Sequence, residues 1–249
     1  MRRKLGGVFS FLAALLLLAG VLLTSLQMTI NQNGYFAALS TRLETGKAAG
    51  ISDGEAAAAL DHLVDFMEGR VQDIQLTVEI DGKAQTLFTQ DEITHMNDVQ
   101  KLYRTARLGR DLCLIAAAAL YALTLLLGRP RPFRLWAGGY LAAGGLLAIV
   151  GGAMAVWAIR DFDGFWSQMH RLLFTNDLWL MDPAKSKMIL LCPAELFQDI
   201  LCQAGLWTLL IAIVLAVLSI LCLTRRPKMG RREATPGRGG KVTKPKRKS

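Results

Sequence analysis

Two of the three histidines in this chain lie in sequence surroundings that can support acid–base chemistry. His95 has one carboxylate four residues before it, Asp91, and another three residues after it, Asp98. On a helix these spacings place the three side chains on one face, where the carboxylates would orient the imidazole and raise its basicity. An exposed helix with mixed charges has the same pattern, so the spacing alone predicts a candidate base and leaves that alternative open.

His170 lies within an aromatic segment that runs from Asp161 to Pro183, between two long apolar runs. Aromatic rings with polar neighbours suit the level of the lipid head groups, so we expect this segment on the membrane surface and place the function here. An aromatic anchor with a solvated histidine is the alternative. Apolar residues at helical spacing in the first half predict an amphipathic interfacial helix: Phe162, Phe165, Trp166, Met169, Leu173 and Phe174.

Several other catalytic motifs are absent from the sequence. It has no G-x-S-x-G elbow, no glycine-rich phosphate loop and no H-E-x-x-H, so serine hydrolases, nucleotide enzymes and helical zinc proteases lack support. A zinc site would need His95, His170 and a carboxylate to converge, and we predict no metal and no cofactor. A lipid-facing acyl-transfer site with two histidines fits better. The third histidine, His62, is predicted to be solvated, and the cysteines are expected to be unpaired.

Four apolar runs account for much of the 52% hydrophobic composition of the 249-residue chain. Each is close to the ~20 residues that a spanning helix needs: Val8 to Met28, Leu112 to Leu127, Leu135 to Ile159 and roughly Cys202 to Leu223. The predicted fold class is an α-helical multi-pass membrane protein with four transmembrane helices. We divide the chain into residues 1–28, 29–110, 111–159, 160–201, 202–224 and 225–249. The spans lie in the first, third and fifth parts, and the last part is a basic disordered tail.

The distribution of positive charge predicts the orientation in the membrane. The net charge is +9, but eleven Lys or Arg residues follow Thr224 against one acid, Glu233, so the rest of the chain is close to neutral. We therefore predict no nucleic-acid partner, and the tail can lie against anionic inner-leaflet lipid. Basic residues also precede the first span and fill the second connection, at Arg129, Arg131 and Arg134. By the positive-inside rule both termini are cytoplasmic, and residues 29–110 and 160–201 face outward.

The first outward segment is expected to form a small extracytoplasmic α+β cap, made of a helix and a β-hairpin. Ser52 and Glu55 have capping-box spacing at the start of a helix that Gly69 ends. Apolar residues then alternate with polar ones from Ile74 to Ile80, and the Asp81-Gly82 pair after them favours a hairpin turn.

Two further patterns concern the helices that position the histidines. Thr89 and Glu92 repeat the capping-box spacing and open the helix that carries His95 toward the second span. The short arginine-proline connection predicts a tight antiparallel pair between the second and third spans. In the third span Gly144, Ala148 and Gly152 form a ridge of small residues on which another helix can approach closely.

Two longer motifs carry a resemblance to a known family: Glu92-Ile93-x-His95-Met96-x-Asp98-Val99, and His170-x-x-x-Phe174-x-Asn176-x-x-Trp179-x-x-Asp182-Pro183 with Pro193 and Phe197 beyond it. On these residues the chain resembles, over about residues 8–224, a family of four-span bacterial membrane proteins whose best-understood members are the lipoprotein intramolecular transacylases of Gram-positive bacteria. The resemblance implies transfer of the sn-2 acyl chain of a diacylglyceryl lipoprotein to the α-amine of the same modified cysteine. It also implies a location in the bacterial cell membrane, with a diacylated lipoprotein and membrane lipid as partners. The functional histidines that it implies are His95 and His170.

For this reaction we assign His95, with Asp98 and Asp91 behind it, as the general base and His170 as the oxyanion donor or general acid. The reverse assignment stays open. The alternative functions are a non-catalytic membrane scaffold that binds lipid or lipoprotein, and a hydrolase that releases fatty acid. Three residues are expected to shape the turn beneath His170: Asn176, Trp179 and Asp182.

Overall fold

The computed structural model describes residues 2–80, 82–126 and 131–224, and most of them are helical. The predicted basic tail and Arg129 of the second connection lie outside the described residues. In chain order the elements are α1 (Arg2–Ile30), α2 (Tyr35–Arg42), α3 (Thr45–Ala49), α4 (Asp53–Glu68), β1 (Thr77–Ile80), β2 (Lys83–Thr86), α5 (Gln90–Leu126), α6 (Pro132–Arg160), α7 (Phe162–Leu173), α8 (Lys187–Leu191) and α9 (Ala194–Thr224).

Helices α1, α5, α6 and α9 are each long and apolar enough to cross a membrane. The predicted fold class, an α-helical multi-pass membrane protein, is therefore confirmed. α9 begins at Ala194, earlier than the predicted start of the fourth span near Cys202. Its first turns contain the charged residues Glu195 and Asp199, so the sequence there is not a continuous apolar run. Pro193, just before Ala194, is a residue that suits a helix start.

α1 is the central helix of the bundle and packs against α5, α6 and α9. Glycines permit the closest approaches, since a Cβ at Gly139 of α6 would lie 2.6 Å from the backbone carbon of Ser10. A Cβ at Gly20 of α1 would likewise lie 2.5 Å from the side chain of Leu114 on α5. The prediction of a tight pair between α5 and α6 is wrong, because each of them packs mainly against α1 and they contact each other little.

The small-residue ridge of α6 also differs from the prediction. Among the described residues, no atom would lie within 4 Å of a Cβ at Gly144 or at Gly152. The glycine at which another helix does approach is Gly139, one turn nearer the start of α6. A pattern of small residues thus indicated the capacity for close packing, but not which part of α6 uses it.

α5 is longer than a membrane span requires. Its 37 residues correspond to about 55 Å at about 1.5 Å per residue, whereas the hydrocarbon core of a bilayer is about 30 Å thick. The apolar second half, from Asp111 onward, is the spanning part. The polar first half, from Gln90 to Arg110, stands outside the membrane and carries His95, as predicted for a polar helix that leads into the second span.

The part outside the membrane, here called the cap, consists of α2, α3, α4, the β1–β2 hairpin, the first half of α5 and α8. Its apolar core draws on all of these elements except β2. The connections before and after the hairpin and the first turns of α9 also contribute to this core, which includes Leu39, Ala49, Leu60, Phe66, Ile74, Val78, Leu87, Met96, Leu191 and Leu196. This packing fixes the start of α5, and therefore His95, relative to the rest of the cap.

The predicted cap elements are present, with shorter strands. The capping box of α4 is formed, since Ser52 Oγ accepts from the Glu55 N–H at 3.2 Å and the Glu55 carboxylate accepts from the Ser52 N–H at 3.0 Å. Gly69 ends α4 with φ +78°. β1 and β2 pair antiparallel, and Gly82 in their turn has φ +73°, while Asp81 lies outside the described residues.

Candidate active site

α7 holds His170 and matches the predicted interfacial helix, with bounds Phe162–Leu173. It begins at an N-cap, because the Asp161 side chain accepts a hydrogen bond from the Gly164 N–H at 2.9 Å. Leu172 and Leu180 are exposed apolar residues close to His170, which suits a helix that lies at a lipid surface. His170 itself is buried on the opposite side, toward the cap.

The imidazole of His170 is held in one tautomer. Its Nδ1 lies 2.9 Å from the backbone carbonyl oxygen of Trp166. A carbonyl oxygen can only accept, so Nδ1 carries the proton in this arrangement and Nε2 of the neutral ring carries the lone pair. Aromatic rings pack around it, with centroids 4.9 Å away for Trp166, 5.4 Å for Phe174 and 5.0 Å for Trp179.

This environment acts on the basicity of His170 in two directions. Burial lowers the pKa of His170 below its usual value, because an imidazolium would lose hydration there. The hydrogen bond to the Trp166 carbonyl opposes this effect, since it stabilises the protonated ring. His170 is therefore neutral at pH 7, and the Trp166 carbonyl would stabilise the ring if it took up a proton.

His95 lies in the second turn of α5 and is 8% exposed. Its Nδ1 is buried and has no hydrogen-bond partner among the described residues. The pKa of His95 is lowered to about 4, chiefly by burial and also by the nearby His170, while Asp98 acts in the opposite direction. Buried polar atoms are nearly always paired in folded proteins, so this unpaired ring nitrogen is an exception among the described residues.

The two histidines meet although they come from separate segments of the chain. Their ring centroids are 6.2 Å apart with an interplanar angle of 26°. Phe174 contacts both rings, with centroid distances of 5.2 Å to His95 and 5.4 Å to His170. A small reacting group can therefore be reached by both imidazoles in a setting from which bulk water is largely excluded.

The carboxylates predicted to support His95 behave differently from each other. Asp98 binds Lys101 at 3.0 Å and Asn176 at 2.9 Å, and these hydrogen bonds lower the pKa of Asp98. It acts on His95 through its charge and makes no hydrogen bond to that ring. Asp91 is exposed, and among the described residues it makes no hydrogen bond or ion pair, so the structure does not bring it into the site.

The three residues expected beneath His170 also take different places. Trp179 packs on the His170 ring. Asn176 links the two segments, since its amide donates to Asp98 and its carbonyl oxygen accepts from the Leu178 N–H at 3.2 Å. Asp182 is exposed and closes a local turn by accepting from the Ala184 N–H at 2.9 Å, away from the imidazoles.

Sequence reasoning did not predict the roles of two residues that tie the segments together. Glu92 is 1% exposed, and its carboxylate accepts from the Ser186 hydroxyl at 2.5 Å and from the Met188 N–H at 2.8 Å. The capping-box spacing identified Glu92 as a helix-start residue, but no sequence signal showed that it is buried. Nothing in the sequence singled out Ser186.

The described residues also bear on whether the protein could hold a metal ion. Among residues 2–80, 82–126 and 131–224, no group of three His, Cys, Asp or Glu side chains could hold a metal ion. The four cysteines are free. His62 is away from the site, and its Nε2 lies 2.8 Å from the Asp73 carbonyl oxygen on an exposed face of α4.

Comparison with known proteins identifies the family. A family model described as the lipoprotein intramolecular transacylase Lit matches residues 11–197, which is well over half of the chain. The chain belongs to the lipoprotein intramolecular transacylase family. It is therefore a membrane-integral enzyme of the Lit family, and the predicted family membership is confirmed.

Solved structures of Lit from Bacillus cereus have the same fold as this Lit family member. One has a TM-score of 0.69 at 16% identity and covers 87% of this chain and 94% of its own. A variant with one histidine replaced by arginine has a TM-score of 0.67 at 14% identity and covers 89% and 93%. A variant with one histidine replaced by alanine has a TM-score of 0.68 at 15% identity and covers 89% and 95%. No curated protein matches the chain.

Proposed function

We propose that this Lit family member moves the sn-2 acyl chain of a diacylglyceryl lipoprotein to the α-amine of the same N-terminal cysteine. The observation that carries the proposal is the meeting of two buried, neutral histidines at 6.2 Å, one of which has an unpaired Nδ1. Because ester and amine belong to one molecule, the main task of the protein is orientation, which can contribute about 7–11 kcal/mol to lowering a barrier. No protein nucleophile is needed.

In this proposal His170 is the general base, the reverse of the assignment favoured by sequence spacing. Its Nδ1–H donates to the Trp166 carbonyl, so Nε2 is the atom with a lone pair, and the same carbonyl stabilises the imidazolium that forms. A pKa of about 4 makes His95 a poor base, but as a neutral ring it can still donate a hydrogen bond to the developing oxyanion.

The steps balance without any added reactant. The α-amine attacks the ester carbonyl, a C–N bond forms, and its proton passes to Nε2 of His170, while His95 donates to the oxyanion. The C–O bond of the ester then breaks, and the glyceryl oxygen takes the proton from His170. An α-amine has a pKa of about 7.7–8.0 and histidine about 6.5, so the first proton transfer costs only about 2 kcal/mol before any perturbation.

The experiment is mass spectrometry of a lipoprotein N-terminal peptide after co-expression with this protein. Transacylation keeps the mass of the diacylated peptide and blocks its amine to acylating reagents. If the protein were a hydrolase, the peptide would lose the mass of one acyl group. If it were a scaffold that binds lipid or lipoprotein, both the mass and the amine of the peptide would be unchanged. Either of the last two results overturns the proposal.

We also propose that both termini are cytoplasmic and that the cap with its histidines lies at the outer face of the membrane. The placement of basic residues supports this orientation, as in Arg131 and Arg134 between α5 and α6. Cysteine labelling of intact cells should reach position 82 in the hairpin and position 185 after α7, but not position 131. Labelling of position 131 from outside would overturn the orientation.

A further inference from the structure

The buried carboxylate of Glu92 takes no part in the proton transfers above, yet it lies one turn from His95. It is 1% exposed and accepts three hydrogen bonds, from the Thr89 N–H at 2.5 Å, the Ser186 hydroxyl at 2.5 Å and the Met188 N–H at 2.8 Å. Burying a carboxylate is costly unless its oxygens are hydrogen-bonded, and here all three donors are supplied by the protein. Helix capping needs only the bond to Thr89, so the other two bonds call for a different explanation.

Those two bonds fasten the second histidine segment to the first. Ser186 and Met188 lie at the start of α8, whereas Glu92 lies at the start of α5. A second fastening lies on the other side of His95, where Asn176 donates to Asp98. Glu92 is three residues before His95 and Asp98 is three residues after it, so the attachments bracket the imidazole on one helix face.

Residues 174–188, which include the attachment points at Asn176, Ser186 and Met188, carry two of the rings that pack on His170. Phe174 contacts both imidazoles, and Trp179 contacts that of His170. If residues 186–188 were released from α5, Phe174 and Trp179 would lose the anchor that holds them, and the separation of the histidines would no longer be set. The bond to Asn176 lies next to Asp98, which is partly exposed, so the buried Glu92 attachment is the stronger constraint.

We propose that Glu92 is a positioning residue for the reaction, which sets the distance and angle between His95 and His170 by fastening the start of α8 to α5. This inference rests on the proposed transacylase function. Glu92 does not touch the reacting atoms, so its effect is expected on the rate of the chemical step and not on substrate binding.

The chain supplies a matched control in Glu55. It occupies the same capping-box position on α4, where it accepts from the Ser52 N–H and also from the Glu79 N–H of β1 at 3.1 Å, but it is only partly buried and contacts neither histidine segment. Replacing it removes a helix cap of the same kind and leaves the site intact. Ser52→Ala likewise controls for Ser186→Ala, because each serine is also the N-cap of its helix.

The test uses the full chain in detergent micelles with a synthetic dipalmitoylglyceryl-cysteine lipopeptide. We expect kcat to fall about tenfold or more in Glu92→Gln and further in Glu92→Ala, with KM within about twofold of the parent in both. Ser186→Ala, which removes one bond only, should give a smaller loss and keeps the test available if Glu92→Ala does not fold. Glu55→Gln and Ser52→Ala should keep kcat within about twofold.

A second readout does not depend on activity. In histidine-labelled protein followed by NMR, the pKa of His95 should rise from about 4 toward the ordinary value in Glu92→Gln, because the ring loses burial and its His170 neighbour. It should stay unchanged in Glu55→Gln. Folded Glu92 variants with parent kcat and an unshifted His95 would overturn the positioning role. Absence of product from the parent protein would instead count against the proposed function. The NMR shift would then still decide whether Glu92 sets the relative position of His95 and His170.

Discussion

Helices α4 and α5 both begin with a capping box, and each carries a histidine, His62 on α4 and His95 on α5. On α4 the capping glutamate is only partly buried, and His62 hydrogen-bonds a nearby backbone carbonyl at the surface. On α5 the capping glutamate is buried against α8, and His95 is buried against His170. The same local sequence signature thus begins a helix with a histidine near the surface in one place and a helix that carries half of a candidate active site in the other. What differs is the second segment that packs over α5.

Replacing each histidine in turn should give the largest difference in rate between the two helices. His95→Ala should lower the rate of conversion by about 10²–10⁴-fold, the range for loss of a positioned acid–base group. His62→Ala should leave it within about twofold, since that ring is partly exposed and hydrogen-bonds the Asp73 carbonyl away from the site. N-terminal peptide mass spectrometry, on variants checked for membrane insertion and folding, gives both rates. Equal losses at the two positions would mean that burial against His170 is not what sets His95 apart.

Removing the charge of either carboxylate near His95 should have a smaller effect on the rate of conversion. Asp98→Asn keeps an oxygen that can accept from Asn176 but removes the charge that raises the pKa of His95. Asp98 makes no hydrogen bond to His95, so we expect its charge to contribute at most about 1 kcal/mol and the loss to be at most about fivefold. Asp91→Asn should change nothing measurable, because that side chain is exposed and without a partner among the described residues. A larger loss in Asp91→Asn than in Asp98→Asn, in the same assay, would return Asp91 to the site.

The sequence was sufficient to predict the spans and the cap elements, and the structure brings together the two histidines that the motifs singled out. Apolar runs give spans because the bilayer imposes a length, and the two capping boxes are local patterns that form wherever the helix begins. The sequence could not show that Asp98 turns toward Asn176, or that Glu92 is buried under Ser186. Those contacts join residues far apart in the chain, so they depend on packing that local spacing does not encode. The same limit applies to α6, where the approach of α1 falls at Gly139.

The smallest expected effect concerns stability against pH. Burial lowers the pKa of both His95 and His170 in the folded state, so the unfolded chain binds more protons as the pH falls below about 6.5. The buried neutral histidines therefore contribute fully to the free energy of unfolding above about pH 6.5, and this contribution is lost progressively as the pH falls toward 4. Thermal unfolding in micelles should show that the Tm of the parent falls more between pH 7 and 4.5 than that of His95→Gln, by a few degrees. His62→Gln should keep the parental pH dependence, and a parental response in His95→Gln would contradict the burial of a neutral ring.

The central claim is that His95 and His170 act as one unit on one substrate. The most direct measurement compares the rates at which His95→Ala, His170→Ala and the double variant block the amine of a diacylated lipoprotein peptide without a change in its mass. Groups that act together in one transition state are not additive, so the account predicts that all three variants fall to a similar low rate. Losses that multiply in the double variant, or full conversion by His170→Ala, would contradict it.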